Sequence, residues 1–565
     1  MSFAKKYIDL FLIIFFLCFT ISPLFTPGWF PIHDDEQIGR LFELHKDVVT
    51  GQLPPRLAQD LGFGFDYPLF NFYPSFVYYI AEIFHLAGFG YIDSTKLMIG
   101  LGFLLAGIFM YIFTKEYTGR VGGIVAAVAY SYAPYHSVDV YVRGALPEFW
   151  SCVFIPAIFW SFYRLAKKQT YRYIFLSGIL VACLILTHDL IAMMSVFFLG
   201  AYFLLLISQS QNRLLLFRNI CISVLLGLGF SAYFVLPQYF EKSYTMVYLL
   251  TQQDADFHLH FVCIKQFFNS PWGYGGSVPG CSDGLSFQVG QAQLLLGLLS
   301  LFVSSLFLLK RRKEYGIAIL FFVMFLFSLF IQTKYSVFIW NALQPFSYIQ
   351  FPWRFLTFSD FTIAFLVAYI FSKIKIGKIQ IIIASLMILL LIFFNKAYFK
   401  PEKYLTSITD KNYTDQSIIR WRTSNMSYEY TPKGISILQP QSGNATINIK
   451  PSEVPASNYS IIRGTMSVTT VTDIPQQKVF IVSSSGRGLL RLNTFTFPGW
   501  KTFIDNHEVA YSDDNKFKLI TVAVPQGKHT IEAIFTDTPI RLLANIISLF
   551  TILCCTGWGL YKSIK

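Results

Sequence analysis

Just past the first apolar run the sequence reads Pro31-Ile32-His33-Asp34-Asp35-Glu36, a histidine followed by three consecutive carboxylates. Carboxylates beside a bilayer are costly to desolvate, so such a run is the first place to look for chemistry. A second polar stretch runs from His136 to Glu148 and carries Asp139 and Arg143; a third is Thr187-His188-Asp189, and a fourth is Gln350-Phe351-Pro352-Trp353-Arg354. A carboxylate can take a proton from an acceptor hydroxyl, or hold a divalent metal. Arg143 or Arg354 can make paired contacts to a phosphate. Acids, histidines and two arginines at one membrane face suit a reaction between a lipid-phosphate donor and an acceptor outside the membrane.

For these groups to share a face, the chain must be threaded through a bilayer. With 54% hydrophobic and 14% charged residues in 565, it is far too apolar for a soluble protein. Apolar runs of about 18–22 residues recur, each long enough for a hydrocarbon core of roughly 30 Å. The expected spans are 7–25, 96–114, 121–138, 147–164, 171–187, 189–208, 216–236, 291–309, 315–332, 353–372, 378–397 and 540–561, which makes about 12 transmembrane helices. The first follows Lys5 and Lys6 and has no small-x-small cleavage site after it, so it reads as a retained helix. Segment 70–87 is aromatic and proline-interrupted and contains Asn71, Glu82 and His85. If it lies in the interface without crossing, the clusters Lys115/Arg120, Arg164/Lys167/Lys168/Arg172, Arg213/Arg218, 310–313, Lys373/Lys375/Lys378 and Lys562/Lys565 are all cytoplasmic. If it crosses, every one of them faces outward. The positive-inside rule selects the first scheme, a multi-pass plasma-membrane protein with both termini in the cytoplasm. The net charge of +13 is therefore topological, and no nucleic-acid partner is expected.

The polar groups then gather outside, on loops 26–95 and 238–290 and on the helix ends between spans. The domain organisation reads as a transmembrane domain (1–397), an extracytoplasmic β-sandwich-like domain (398–538) and a C-terminal transmembrane helix (539–565). Strand alternation occurs at 479–483, 489–497, 516–524 and 529–535, with turns at Pro498-Gly499, Asp505-Asn506 and Pro525-Gln526-Gly527. Four Asn-x-Ser/Thr sequons (Asn412, Asn425, Asn444, Asn458) agree with an outer location. Six cysteines lie in apolar runs as small core residues, whereas Cys263 and Cys281 share one outer loop, where a disulfide can form.

Each chemical reading has a plainer one beside it. An acidic triplet is also a solvated turn or a helix N-cap. Arg143 and Glu148 can simply pair, His188-Asp189 can be a polar turn joining two helices, and Arg354 beside Trp353 can be an interfacial snorkelling pair. Asp254, Asp256, His258 and His260 match no specific metal spacing.

The order of these pieces resembles the GT-C glycosyltransferase superfamily: an acidic motif in the first outer loop, an interfacial segment, and a second acid in the next outer loop. Asp66-Tyr67-Pro68-Leu69-Phe70, Tyr141-Val142-Arg143-Gly144-Ala145-Leu146-Pro147-Glu148, Phe351-Pro352-Trp353-Arg354-Phe355, Phe497-Pro498-Gly499-Trp500 and Asp537-Thr538-Pro539-Ile540-Arg541 are similar to those of one membrane family in particular. It is the prokaryotic family labelled "6-pyruvoyl-tetrahydropterin synthase-related", with YfhO-type proteins as relatives. No zinc histidines of a pterin synthase accompany the label. The resemblance implies transfer of a sugar from a polyprenyl-phosphate-linked donor to an extracytoplasmic acceptor (an envelope glycan, lipid or protein), with membrane lipids as surroundings. It implies a base at Asp34 or Asp35, with Glu36 and Glu148 supporting it, and substrate contacts at His33, Asp139, Arg143, His188 and Arg354. The Asp-x-Glu pair Asp34 and Glu36 fits a divalent metal (Mg or Mn) as well as a lone base does; no other cofactor is implied.

Two other classes compete. Many helices with polar groups also describe a transporter or flippase of lipid-linked envelope precursors. Against that, the acids sit at helix ends, and no pair of broken helices occupies matching halves. A non-catalytic envelope assembly protein, working through its outer β-domain, is the third reading.

Overall fold

The computed structural model describes residues 2–306, 316–373, 377–439 and 444–564, the side chains of 2–6, 253, 306 and 558–564 excepted. Of the basic clusters that orient the chain, 310–313, Lys375 and Lys565 lie outside the described residues, as does the Lys562 side chain. Helices dominate up to residue 398 and strands thereafter. Among the described residues, eight helices are long and apolar enough to cross a membrane: Tyr7–Phe25, Tyr91–Ser131, Leu146–Lys168, Asp189–Gln209, Arg213–Tyr244, Pro352–Ser372, Gly377–Tyr398 and Pro539–Gly557. A ninth is reached if Gly316–Phe330 and Lys334–Ala342, bent by 94°, are one span.

The difference from twelve has physical causes. Expected span 96–114 and the larger part of 121–138 fall in the single helical run Tyr91–Ser131, which is kinked where Gly119 adopts φ +77°. A straight helix of that length would extend about 60 Å, twice the hydrocarbon thickness. Two others, Tyr171–Thr187 and Gln291–Leu306, are helical but short. The α-helix in segment 70–87 is the 11-residue Phe76–Leu86. It rises about 16 Å, too little to cross. Its Val77, Tyr78, Ala81 and Glu82 are buried, while Ile83 and Leu86 are exposed.

Contacts divide the chain into two compact units whose segments interleave along the sequence. The first comprises Met1–Asp34, Thr95–Gly229 and Ala255–Ile408; the second comprises Asp35–Ser94, Phe230–Asp254 and Thr409–Lys565. In the first unit, Leu146–Lys168 and Pro352–Ser372 are the innermost helices, with 78% and 94% of their apolar windows buried. Helices apolar on every side are buried in this way. Cys263 and Cys281 form a disulfide with their Cα atoms 5.7 Å apart.

The second unit explains the interleaving. Among the described residues its ten strands are β1 Ile437–Leu438, β2 Thr446–Ile447, β3 Tyr459–Arg463, β4 Met466–Ile474, β5 Gln477–Ser484, β6 Gly488–Phe495, β7 Trp500–Ile504, β8 His507–Val509, β9 Leu519–Val524 and β10 Gly527–Phe535. They build an antiparallel sheet β4-β5-β10-β7-β8, a second sheet β3-β6-β9 and a small β1-β2 pair. Alternation puts Phe480 and Val482 of one sheet and Leu490 and Leu492 of the other inside. Asp505 and Asn506, both at positive φ, turn the β7–β8 hairpin. The loop after the first span packs on this domain because its residues are aromatic. Phe65 lies 5.2 Å from Phe495 and 5.8 Å from Phe517, and Phe72 lies 5.1 Å from Tyr430. Asp66 bonds Lys478 Nζ at 2.8 Å and the Thr494 hydroxyl at 2.7 Å.

Candidate active site

In the first unit, Pro134–Ser137 opens a short helix that widens into a π-turn over Val138–Arg143 and stops at Gly144. Wide turns of this kind recur where side chains must converge. Gly144 is required twice: its φ is +72°, and a Cβ there would meet Ile32 Cδ1 at 2.5 Å. That close approach lets the acidic segment dock on the π-turn. His33 N–H donates to the Val142 carbonyl at 3.0 Å and Asp34 N–H to the Arg143 carbonyl at 2.7 Å.

The Arg143 guanidinium is buried. Its Nη1 bonds Asp139 Oδ1 at 2.5 Å, Glu148 Oε2 at 2.9 Å and the Tyr135 hydroxyl at 3.1 Å. Its Cζ sits 4.4 Å from the Trp353 ring centre. Glu148, 1% exposed in the first turn of Leu146–Lys168, also accepts from Arg354 Nε at 3.1 Å and from the Tyr135 hydroxyl. A carboxylate at a helix N-terminus is favoured by the helix dipole. Arg354 Nη1 donates to the Ile349 carbonyl at 2.7 Å. Burial works against the charge on Arg143, but Glu148, Tyr135, Asp139 and Asp34 hold its pKa well above the ordinary value. Burial, reinforced by the charge of Glu148, raises Asp139 well above the carboxylate range despite Arg143. Burial, then the Arg354 charge, pushes His188 down to about 3. Its Nδ1 caps the next helix by accepting from Ile191 N–H at 3.3 Å, so the neutral ring carries its proton on Nε2.

The three acids of the opening motif have different surroundings. Asp34 is half-exposed, and its carboxylate makes no hydrogen bond or ion pair among the described residues. In the second unit, Asp35 bonds the Arg422 guanidinium and, at 2.9 Å, the Tyr413 hydroxyl. Glu36 pairs with Arg40 at 3.0 Å, and Arg40 lies 4.1 Å over the Tyr73 ring.

Six of the residues singled out from sequence thus lie in the first unit around the Arg143 cluster: Asp34, Asp139, Arg143, Glu148, His188 and Arg354. His33 is exposed and its Nε2 contacts the Tyr274 carbonyl at 2.9 Å. Asp35 and Glu36 are engaged in ion pairs in the second unit. Glu36 is held by Arg40, and among the described residues no group of three or more His, Cys, Asp or Glu side chains is arranged to hold a metal ion. Sequence reasoning passed over Tyr135 and the role of Trp353 against Arg143. It also passed over Asp360, which is fully buried inside Pro352–Ser372. A lone carboxylate in an apolar span was the available signal for Asp360. It also removes the argument that every acid lies at a helix end.

Residues 70–401 match the model of a family described as 6-pyruvoyl-tetrahydropterin synthase related domain, membrane protein. No protein with a curated description matches the chain in sequence. Among solved structures, the apo oligosaccharyltransferase of Archaeoglobus fulgidus aligns with TM-score 0.45 and 14% identity, over 73% of this chain and 57% of that one. The arabinofuranosyltransferase AftD from Mycobacteria aligns with TM-score 0.41 and 9% identity, over 94% of this chain and 60% of that one. The chain spans less than two thirds of the length of either.

Proposed function

The chain belongs to the membrane-protein family described as 6-pyruvoyl-tetrahydropterin synthase related, and on that premise we propose that it is a membrane glycosyltransferase of GT-C type working at the outer face of the plasma membrane. The donor is a sugar on a polyprenyl phosphate and the acceptor a hydroxyl of an envelope glycan, lipid or protein. The observation that carries this reading is the contrast between Asp34 and its neighbours. Asp34 is the one acid of the triplet whose carboxylate makes no hydrogen bond or ion pair among the described residues, and its backbone is bonded to Arg143, whose guanidinium is clustered with Arg354.

The chemistry assigned to these residues balances simply. Asp34 accepts the proton of the acceptor hydroxyl as its oxygen bonds to the sugar C1. The bond from C1 to the phosphate oxygen breaks, and polyprenyl phosphate leaves with the electron pair. Arg143 and Arg354 stabilise the charge growing on that phosphate, and the oxocarbenium-like transition state gains from the nearby Asp34 charge. Glu148, with both oxygens engaged, positions the two arginines. No step is routed through a metal.

The test compares polyprenyl-phosphate sugars and surface glycans by mass spectrometry in cells with the wild-type gene, without it, and with Asp34→Asn or Asp35→Asn. Loss of a general base costs about 10²–10⁴ in rate, so Asp34→Asn should accumulate the donor and lose the product at normal protein level. Asp35→Asn should retain most of the product. Full product in Asp34→Asn would sink the assignment. A flippase reading draws on Asp360, buried well inside a span, and it would instead leave the donor trapped on the cytoplasmic leaflet.

A further inference from the structure

The stretch 271–284 carries two aromatic rings that the transfer chemistry leaves unused, and it belongs to the same unit as Asp34 and Arg143. Glycine lets this stretch fold on itself. The Gly275 N–H donates to the Gly284 carbonyl and the Gly284 N–H to the Gly276 carbonyl, each at 2.9 Å. A Cβ on Gly273 would meet the Gly284 oxygen at 2.2 Å, so a larger residue would not permit this approach. Asp283 fastens the loop: its Oδ1 accepts from the Ser277 hydroxyl and the Val278 N–H, each at 3.0 Å. Its Oδ2 accepts from the Gln266 amide at 2.8 Å, and the Cys263–Cys281 disulfide ties the loop to the segment before it.

This frame holds Tyr274 at both ends. Its hydroxyl donates to the Lys400 carbonyl at 3.0 Å, and its own carbonyl accepts from His33 Nε2 at 2.9 Å. The ring is half-exposed, and its ring contact among the described residues is Trp272, met edge-on at 6.3 Å and 89°. Trp272, also half-exposed, stacks on Tyr398 at 4.8 Å, and the Tyr398 carbonyl accepts from the Ser137 hydroxyl at 2.7 Å. The aromatic group is thus bonded on one side to the segment carrying Asp34 and on the other to the helix that leads into the π-turn of Arg143.

A sugar ring offers an apolar C–H face and a rim of hydroxyls. A fixed, half-exposed aromatic ring complements the first. The second meets His33, which is exposed and donates through Nε2, so that Nδ1 of the neutral ring is an acceptor, and next to it the Asp34 carboxylate. Resting on the transfer reading above, we propose that Tyr274, backed by Trp272, is the platform on which the terminal sugar of the acceptor stacks, so that the acceptor is a glycan. A sugar held there presents its hydroxyl beside Asp34. A peptide acceptor added as a strand would be read through main-chain bonds, whereas the Gly275 and Gly284 N–H groups are already bonded within the hairpin.

The test uses the full chain in phospholipid nanodiscs free of glycolipid and of sugar-based detergent. Envelopes of cells lacking the gene are divided into a protease-treated polysaccharide fraction, a delipidated protein fraction and a lipid extract. Each is titrated against immobilised nanodiscs by interferometry. The polysaccharide fraction should bind the wild type, and Tyr274→Ala should raise its half-saturating concentration about tenfold, the effect of losing one stacked ring. Tyr274→Phe keeps the ring and loses only the bond to Lys400, so it should bind within about twofold of the wild type. No binding of the polysaccharide, or equal binding by wild type and Tyr274→Ala, overturns the platform. A loss in Tyr274→Phe as large as in Tyr274→Ala overturns stacking in favour of the hydroxyl. Binding of the protein fraction or the lipid extract in place of the polysaccharide overturns the glycan assignment, the lipid result marking the rings as interfacial anchors. Should Tyr274→Ala not fold, Tyr274→Leu, apolar and of similar bulk but without the ring, must show the same loss. If Asp34→Asn cells retain full product, the transfer reading falls, while the dependence of polysaccharide binding on the Tyr274 ring still decides the platform.

Discussion

Replacing Glu148 by glutamine is the sharpest test of the idea that one buried carboxylate holds two arginines in place. Glu148 is 1% exposed; the Arg143 and Arg354 side chains that bond it are 7% and 11% exposed, so solvent screens little. Glu148→Gln keeps the shape but exchanges one acceptor oxygen for an amide NH₂ that points at N–H donors. Removing one member of a buried pair costs about 3–5 kcal/mol, because the partner charge is left uncompensated. The remaining amide oxygen still accepts one bond, which places the expected loss at the lower end, about 3 kcal/mol. That is a large share of a total of roughly 5–15 kcal/mol. The assay is denaturant unfolding in detergent followed by tryptophan emission, with Arg354→Gln and the double variant alongside. Removing Arg354 from the Glu148→Gln protein discharges the orphaned guanidinium. The double variant should therefore be more stable than the sum of the singles by about 1–3 kcal/mol. A loss under about 1 kcal/mol for Glu148→Gln, or strict additivity in the cycle, would refute the clamp.

Two further outcomes test other parts of the molecule. Burial pushes the Asp66 carboxyl up to about 6 from 3.8, against the pull of Lys478. A folded-state pKa above the unfolded one means that its stabilising contribution is complete below the unfolded value and is lost as pH rises through about 6. The shift amounts to ~3 kcal/mol. Thermal unfolding from about pH 4 to about pH 8 should show this falling limb in the wild type and a flatter one in Asp66→Asn; equal slopes would refute it. The orientation scheme is checked by a membrane-impermeant maleimide on single cysteines placed in 88–94, after the short helix Phe76–Leu86. Labelling should succeed from outside intact cells, and labelling from the cytoplasmic side alone would invert the topology.

How much of this molecule could be read from its sequence depended on whether a feature was local. The apolar runs and the alternating strands of β5, β6, β9 and β10 are local patterns, and they fall where hydropathy and period-two alternation put them. The span count is less local, because it turns on whether a kink at Gly119 or a bend after Phe330 ends a helix. The interleaved units escaped altogether. Phe65 finds Phe495 and Asp66 finds Lys478 across more than 400 residues, and no periodicity encodes such a pairing.

The same distinction explains the site. Asp139, Arg143 and Glu148 lie within ten residues, so a turn brings them together, and their types already suggested a charged cluster. Asp34 and Asp35 are adjacent and chemically identical, so nothing in the motif could rank them. Their difference comes from Arg422 and Tyr413, 387 and 378 residues away from Asp35, which engage one carboxylate while the other makes no bond among the described residues. Asp360 was hidden for the opposite reason. Averaging hydropathy over an 18-residue window dilutes a single carboxylate among phenylalanines, although the cost of burying it is paid at that one position and does not average.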